Sequence, residues 1–353
     1  MSAPTSDLAP LPAPASALLD ATGHLRSGAY RGAPASLPLE RAYAPGLGPL
    51  AAAAPGRRRL RGLRRKTWRW VGVFQDDLVV SAAVADLGYL GLAWAYVAEG
   101  GRLVERGWKA PLAAGVRVGG PGAPSAALAP GRLVSMQTVG ANELTLTLEL
   151  EQLRAGIDLR AADPAGLDGL TVVSDTGKGA GRPGGTVKRA CLAAKGAVVL
   201  GDRRVVLDRA WAFVDWTQAY FPRRMSWWWA AGAGLASDGR PVGLNLCRGV
   251  HDEPAAGTHE NALWLDGVPA SLPAVSFLVG EGRTPWTIRS DDGAVDLAFE
   301  PAGERREATD LVLVASRYRQ PYGHFSGTLR DGAGRTVRLD RLPGVTEHHD
   351  VTW

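Results

Sequence analysis

The stretch AFVDWTQAYFPRRMSWWWAAGAG, residues 212–234, brings one carboxylate, an arginine pair and four tryptophans together. Asp215 can move a proton, Arg224 can hold an anion, and indole faces can hold an apolar ligand. In a water-poor site each indole face stabilises a cation by roughly 0.5–2 kcal/mol. As a hairpin with its loop at 218–222, the stretch pairs Asp215 with Ser226 and Thr217 with Arg224. One face then carries Asp215, Thr217, Arg224, Ser226 and Trp228; the other carries Trp216, Met225, Trp227 and Trp229. An aromatic inner face is core, a polar inner face is a site, and the pattern leaves both open. Burial favours a proton on Asp215, whereas an adjacent Arg224 favours its charge. Asp215 is therefore either a proton donor or an ion-pair anchor.

Two further clusters could contribute. In THENALW, residues 258–264, Glu260, Asn261 and Trp264 sit at the mouth of a strand, and His259 reads as a turn residue. Leu263 stands where a zinc-binding HExxH motif needs its second histidine. In SRYRQPYGHFSGTL, residues 316–329, Gln320, Tyr322 and His324 alternate, as do Glu347 and His349 near the chain end. His348 and His349 are adjacent on a strand and face opposite ways, so no metal is expected. The glycine run at 177–185 lacks the GK[ST] ending of a phosphate loop. No GxSxG elbow or reactive-cysteine context supports acyl chemistry, and no cofactor motif occurs.

The elements that must position these residues are strands. In ANELTLTLELEQL, Leu144, Leu146, Leu148 and Leu150 share one face, with Thr145, Thr147, Glu149 and Glu151 on the other. Asp-Gly pairs recur at 168–169, 238–239, 266–267, 292–293 and 331–332, and supply the positive φ angles of tight hairpins. Successive hairpins on this scale close into barrels or sandwiches to remove their edges. The expectation is all-β: two antiparallel barrel-like domains in tandem. With a boundary in the glycine-rich stretch near 175–190, the units are 1–56, an Ala/Pro-rich and partly ordered segment; 57–185, a first barrel; and 186–353, a second.

The net charge of +5 is concentrated in RRRLRGLRRK at 57–66, whose seven basic residues, if removed, leave −2. Such a run reads as a solvated strand edge or interdomain contact, and nucleic acid is not an expected partner. Cys191 and Cys247 read as buried thiols. The N-terminal residues have neither the basic nor the apolar region of an export signal, and no run of 18 apolar residues occurs. A cytoplasmic location follows as an expectation; the oligomeric state is not indicated.

The chain resembles the DUF2804 family through VKRACLAAKGAVVL, AWAFVDWT, PRRMSWWWAAGAGLASDGRPVGLNL, ENALWLDG, PWTIRSDDGAVDLAFEP, SRYRQPYGHFSGTL and GVTEHHDVTW, most of 186–353. RRKTWRWVGV and LGYLG at 65–91 add weaker support. That family is distantly similar to the carotenoid 1,2-hydratase/AttH-like proteins, and the resemblance implies two lipocalin-like domains. It also implies that the aspartate of an Asp-His-x-Trp segment protonates an isoprenoid double bond. Asp215 fits that position, although Trp216 follows where the motif has histidine.

Three functions are consistent with these residues. The first is a cofactor-independent lyase or isomerase, a hydratase or cyclase acting by protonation on a hydrophobic, isoprenoid or lipid-like substrate in a Trp-lined barrel cavity. Asp215 is its catalytic candidate. Trp216, Thr217, Arg224, Trp227, Trp228, Trp229, Asn245, Glu260, Asn261, Trp264, Gln320, Tyr322 and His324 are its binding candidates. The second is a non-enzymatic binding protein for a hydrophobic small molecule. The third is a glycoside-active enzyme using Asp215 and Glu260.

Overall fold

A computed structural model describes residues 11–13, 18–34, 36–50, 58–139, 142–161, 169–252, 258–280, 284–310, 314–330 and 334–353. The chain is all-β. The first sheet contains β1 (Gly28–Arg31), β2 (Lys66–Gln75), β3 (Leu78–Asp86), β4 (Leu90–Glu99), β5 (Arg102–Pro111), β6 (Val116–Val118) and β7 (Ser125–Ala129). It continues with β8 (Arg132–Val139), β9 (Glu143–Leu150), β10 (Leu153–Arg160), β11 (Gly169–Asp175), β12 (Pro183–Leu200) and β13 (Arg203–Ala219). The second sheet contains β14 (Arg224–Leu235), β15 (Pro241–Arg248), β16 (Ala262–Leu265), β17 (Val268–Ser271) and β18 (Val275–Leu278). It ends with β19 (Trp286–Ser290), β20 (Val295–Asp310), β21 (Ala315–Arg330) and β22 (Thr336–Thr352).

Every pairing is antiparallel. The first sheet runs β5-β4-β3-β2-β13-β12-β10-β9-β8-β7-β6, with β11 on β12 and β1 on β11; the second runs β17-β16-β15-β14-β22-β21-β20-β19-β18. Each sheet curls into a barrel or half-barrel. The leucine alternation of β9 behaves as its period requires. Leu144, Leu146, Leu148 and Leu150 are buried, and Leu146 lies opposite Ile157 of β10. The Asp-Gly pairs at 238–239, 266–267 and 292–293 join β14 to β15, β16 to β17 and β19 to β20. Asp266 and Gly267 have φ of 52° and 79°, the paired positive values of a two-residue hairpin turn. Asp168 and residues 331–332 lie outside the described residues.

Three sequence expectations need correction. The glycine-rich stretch near 175–190 is a turn within the first sheet, because β12 pairs with β10, β11 and β13. The change of sheet comes at 220–223, not at 175–190. Residues 212–234 are therefore not a hairpin: β13 belongs to the first sheet and β14 to the second. Asp215 lies opposite Lys188 and Trp70, and Arg224 lies opposite Thr352. Pro222 at the crossing has no N–H to continue a ladder. Of the two readings of the basic run, strand edge or interdomain contact, the strand edge does not hold, since Arg58–Arg64 forms the short helix α1. Its Arg61 is buried and donates to the Ala42 carbonyl at 2.8 Å.

Three apolar clusters result from strand alternation. Val71, Val80, Leu146 and Ile157 fill the first barrel, and Leu244, Ile288, Phe299 and Phe325 fill the second. A third cluster joins Trp70, Phe74, Tyr96 and Phe213 of the first sheet to Trp227, Trp229, Trp264 and Tyr322 of the second. The N-terminal segment is ordered where Leu18, Leu37 and Leu39 cover Trp216 and Tyr220.

Candidate functional site

The site is built from two cross-strand ladders. In the first sheet, Thr186, Thr217 and Trp68 are direct neighbours across β12, β13 and β2; one step on are Lys188, Asp215 and Trp70. Directly opposed residues project to the same side, so all six side chains face the second sheet. Asp215 Oδ1 accepts from Lys188 Nζ at 2.8 Å, Thr217 Oγ1 at 3.1 Å and Thr186 Oγ1 at 3.2 Å. Asp215 Oδ2 accepts from Trp68 Nε1 at 3.0 Å. Lys188 also lies 3.0 Å from Glu260 Oε2, so one buried ammonium bridges two buried carboxylates. Burial opposes the Lys188 charge, but Asp215 and then Glu260 outweigh it and hold its pKa above the ordinary value. Burial would raise Glu260, yet Lys188 and His251 reverse the sign and leave it lowered.

The facing wall comes from β14, β22 and β21. Trp227, His349 and Tyr318 form one ladder, and Trp229 lies opposite Glu347. Glu347 Oε1 accepts from Trp227 Nε1 at 2.9 Å, and its Oε2 accepts from Gln320 Nε2 at 3.0 Å. Tyr96 in turn donates its hydroxyl to Gln320 Oε1 at 2.9 Å. Burial pushes the Glu347 pKa above the usual carboxylate value; hydrogen bonds from Trp227, Tyr318 and Gln320 offset this only in part. Those donors are all neutral, in contrast to the ammonium beside Asp215. Burial lowers His349 to about 3, which keeps its ring uncharged.

Between the walls is a cavity of about 530 Å³. Trp68 from one sheet and Trp227 from the other stack in parallel, with centroids 6.3 Å apart and planes 9° from parallel. Asp215, Lys188, Glu260 and Glu347 all reach the lining. The cavity lies between the sheets and draws residues from both, whereas the sequence reading placed it inside a barrel. Arg305 lies over Trp94 and Tyr318, held by ion pairs to Glu105 at 2.7 Å and Glu307 at 3.0 Å.

Of the residues singled out from sequence, Asp215, Thr217, Trp227, Trp229 and Glu260 line this cavity. Others face elsewhere. Trp216 donates to the Gly119 carbonyl at 2.7 Å beneath the N-terminal segment, and Trp228 stacks on His348 at 3.5 Å. Arg224 is exposed and is replaced by Lys188 as the partner of Asp215. Asn245 links Trp229 to the Glu260 carbonyl, and Asn261 accepts from the Cys247 amide. Trp264 and Tyr322 are packed in the inter-sheet core, Gln320 supports Glu347, and His324 pairs with Asp77 at 3.1 Å. Asp215 and Glu260, the two acids of the glycoside reading, share the Lys188 ammonium.

Lys188, Trp68 and Tyr318 are not singled out by the sequence, and Glu347 and His349 appear there only as an alternating pair, not as binding or catalytic candidates. The signal for Glu347 was its alternation with His349, which puts both on one strand face. Lys188 offered less: a lysine two positions from Thr186, on the same face of its strand. Among the described residues no His, Cys, Asp and Glu side chains are grouped to hold a metal ion.

Comparison with solved structures finds CghA with Sch210972, at 11% identity and a TM-score of 0.48, covering 82% of this chain and 89% of that one. A putative AttH from Nitrosomonas europaea has 13% identity and a TM-score of 0.48, covering 82% and 92%. Kievitone hydratase from Nectria haematococca has 10% identity and a TM-score of 0.42, covering 81% and 88%. Comparison with curated proteins by sequence finds no match. The family model described as "Domain of unknown function (DUF2804)" matches residues 13–353, and the chain belongs to that family.

Proposed function

We propose that the protein binds a hydrophobic small molecule between its sheets and acts on it as a lyase- or isomerase-type enzyme by proton transfer from Glu347. The observation that carries this reading is a carboxyl with a raised pKa on the wall of a tryptophan-lined cavity. Glu347 gives its proton to one carbon of an alkene and becomes a carboxylate; the other carbon becomes cationic. The indoles of Trp68 and Trp227 on the cavity wall offer aromatic surface that stabilises such a cation. Water then adds and returns a proton to Glu347, or a neighbouring C–H gives its proton back and shifts the double bond. Asp215 is assigned a different part. It accepts from Lys188 and Trp68, and this pairing orients it toward the cavity in which the cation forms.

The test is incubation in deuterium oxide with farnesol, geranylgeraniol or squalene, followed by mass spectrometry. Deuterium should enter the recovered alkene or its hydrate with the native protein and not with Glu347→Gln. If a compound binds, read by quenching of the cavity tryptophans, but gains no deuterium, the protein is a carrier. The specific observation favouring that second reading is that both oxygens of Glu347 are already hydrogen-bonded within the protein. No described helix is long and apolar enough to cross a membrane.

A further inference from the structure

A second pocket of about 340 Å³ adjoins the aromatic cavity and shares Tyr89, Val314 and Trp353 with it. Its chemistry is opposite. Arg64 at the end of α1, Lys66 at the start of β2, Arg182 before β12 and Arg223 at the sheet crossing all line it. No acidic side chain is among its described lining residues. Arg64 and Lys66 end the basic run at 57–66, and the fold brings Arg182 and Arg223 to them from two other parts of the chain.

Lys66 is almost fully buried, with Nζ 4.6 Å from the Tyr89 ring centroid and 5.7 Å from that of Trp353. Its hydrogen bonds are to the carbonyls of Leu87 at 2.7 Å and Leu63 at 3.2 Å. Burial, and then repulsion from Arg64, lower its pKa to about 8, against a smaller opposing effect of Asp86. Arg182 is likewise lowered by burial and then by Arg64, with Asp175 opposing. Arg223 is tied down by donation to the Trp353 carbonyl, and Phe221 stacks between Trp68 and Trp353. Four cations lining one pocket beside an apolar cavity favour an anionic group there.

We infer that the ligand of the inter-sheet cavity is an amphiphile whose carboxylate or phosphate head sits among Arg64, Lys66, Arg182 and Arg223 while its apolar tail passes Tyr89 and Trp353 into the cavity. The inference rests on the cavity being a binding site, as proposed above. It adds the class of ligand and the direction in which it lies.

Calorimetric titration with decyl phosphate, decanoate, decanol and inorganic phosphate tests it. At least one of the two anionic amphiphiles should bind tenfold or more tightly than decanol, and which one does so identifies the head group. Arg64 and Arg223 are exposed, so Arg64→Gln/Arg223→Gln should fold; the single Arg64→Gln variant is the reserve. In the variant the preference should shrink tenfold or more with decanol affinity unchanged. Decanol binding as tightly as both anions would overturn the head-group site and leave the cavity reading intact. Inorganic phosphate binding as tightly as decyl phosphate would overturn the link between the pockets, as would a variant that keeps the full preference. Binding of none of the ligands would overturn this inference and the cavity reading together.

Discussion

Trp227 donates its indole N–H to Glu347 at 2.9 Å, diagonally across β14 and β22. The central tryptophan cluster of the sequence thus holds a carboxyl that the sequence did not mark as its partner. Trp227→Phe keeps the aromatic wall but removes a donor that lowers the Glu347 pKa. An infrared pH titration should find the Glu347 carboxyl protonated to higher pH in the variant, with a stability loss of about 1–3 kcal/mol. An unchanged titration would separate the two residues functionally.

Glu347→Gln should lower turnover of any alkene processed by the native protein by about 10²-fold or more, with tail binding retained. It should also flatten part of the pH–stability profile. Because the folded pKa is raised above the ordinary 4.5, the contribution of Glu347 is full below that value and is lost as pH rises through the folded pKa. Chemical denaturation of both proteins across that range measures the difference.

Lys188→Met leaves Asp215 and Glu260 buried without their shared cation, at a cost of about 3–5 kcal/mol. In the native protein the lowered Glu260 pKa gives stability that is present above 4.5 and lost as pH falls through the folded value. The raised Lys188 pKa gives stability that is present below 10.5 and lost as pH rises through its folded value. In the variant the carboxylates are better tolerated when protonated. Its deficit against native protein should therefore narrow between pH 7 and 5, as thermal melts at both values would show.

Arg224→Ala should change stability by no more than about 0.5 kcal/mol and leave ligand binding intact, because the side chain is exposed and on the wrong strand for Asp215. A large loss by either measure would restore the Asp215–Arg224 pairing that the fold replaces.

Both cysteines are buried, and burial raises the Cys247 thiol well above its ordinary pKa. Iodoacetamide at neutral pH should modify neither until the chain is unfolded. Mass spectrometry of native and denatured samples checks this.

What was legible in the sequence was local. The alternation of Leu144 to Leu150 and the turn chemistry of Asp266-Gly267 depend on neighbours along the chain, and both appear in the fold as expected. The hairpin reading of 212–234 failed because adjacency in sequence was taken for pairing, whereas the chain changes sheet at 220–223. Asp215 was noticed for its type and setting, but its partner Lys188 lies 27 residues earlier, and only the β12–β13 register brings them together. Glu260 and Glu347 approach the same space from the second sheet, a relationship that no periodicity encodes.

The crossing at 220–223 has a consequence for taking the chain apart. A break there would leave Lys188 and Asp215 on one fragment and Glu260 and Glu347 on the other. The first fragment would expose Trp68 and Trp70, and the second Trp227 and Trp229, to water. Neither piece could pass to another protein as a self-sufficient module. Mixed together they would return Lys188 to Glu260 and Trp68 to Trp227, so fragment complementation is the form in which a split version of this protein would regain its site.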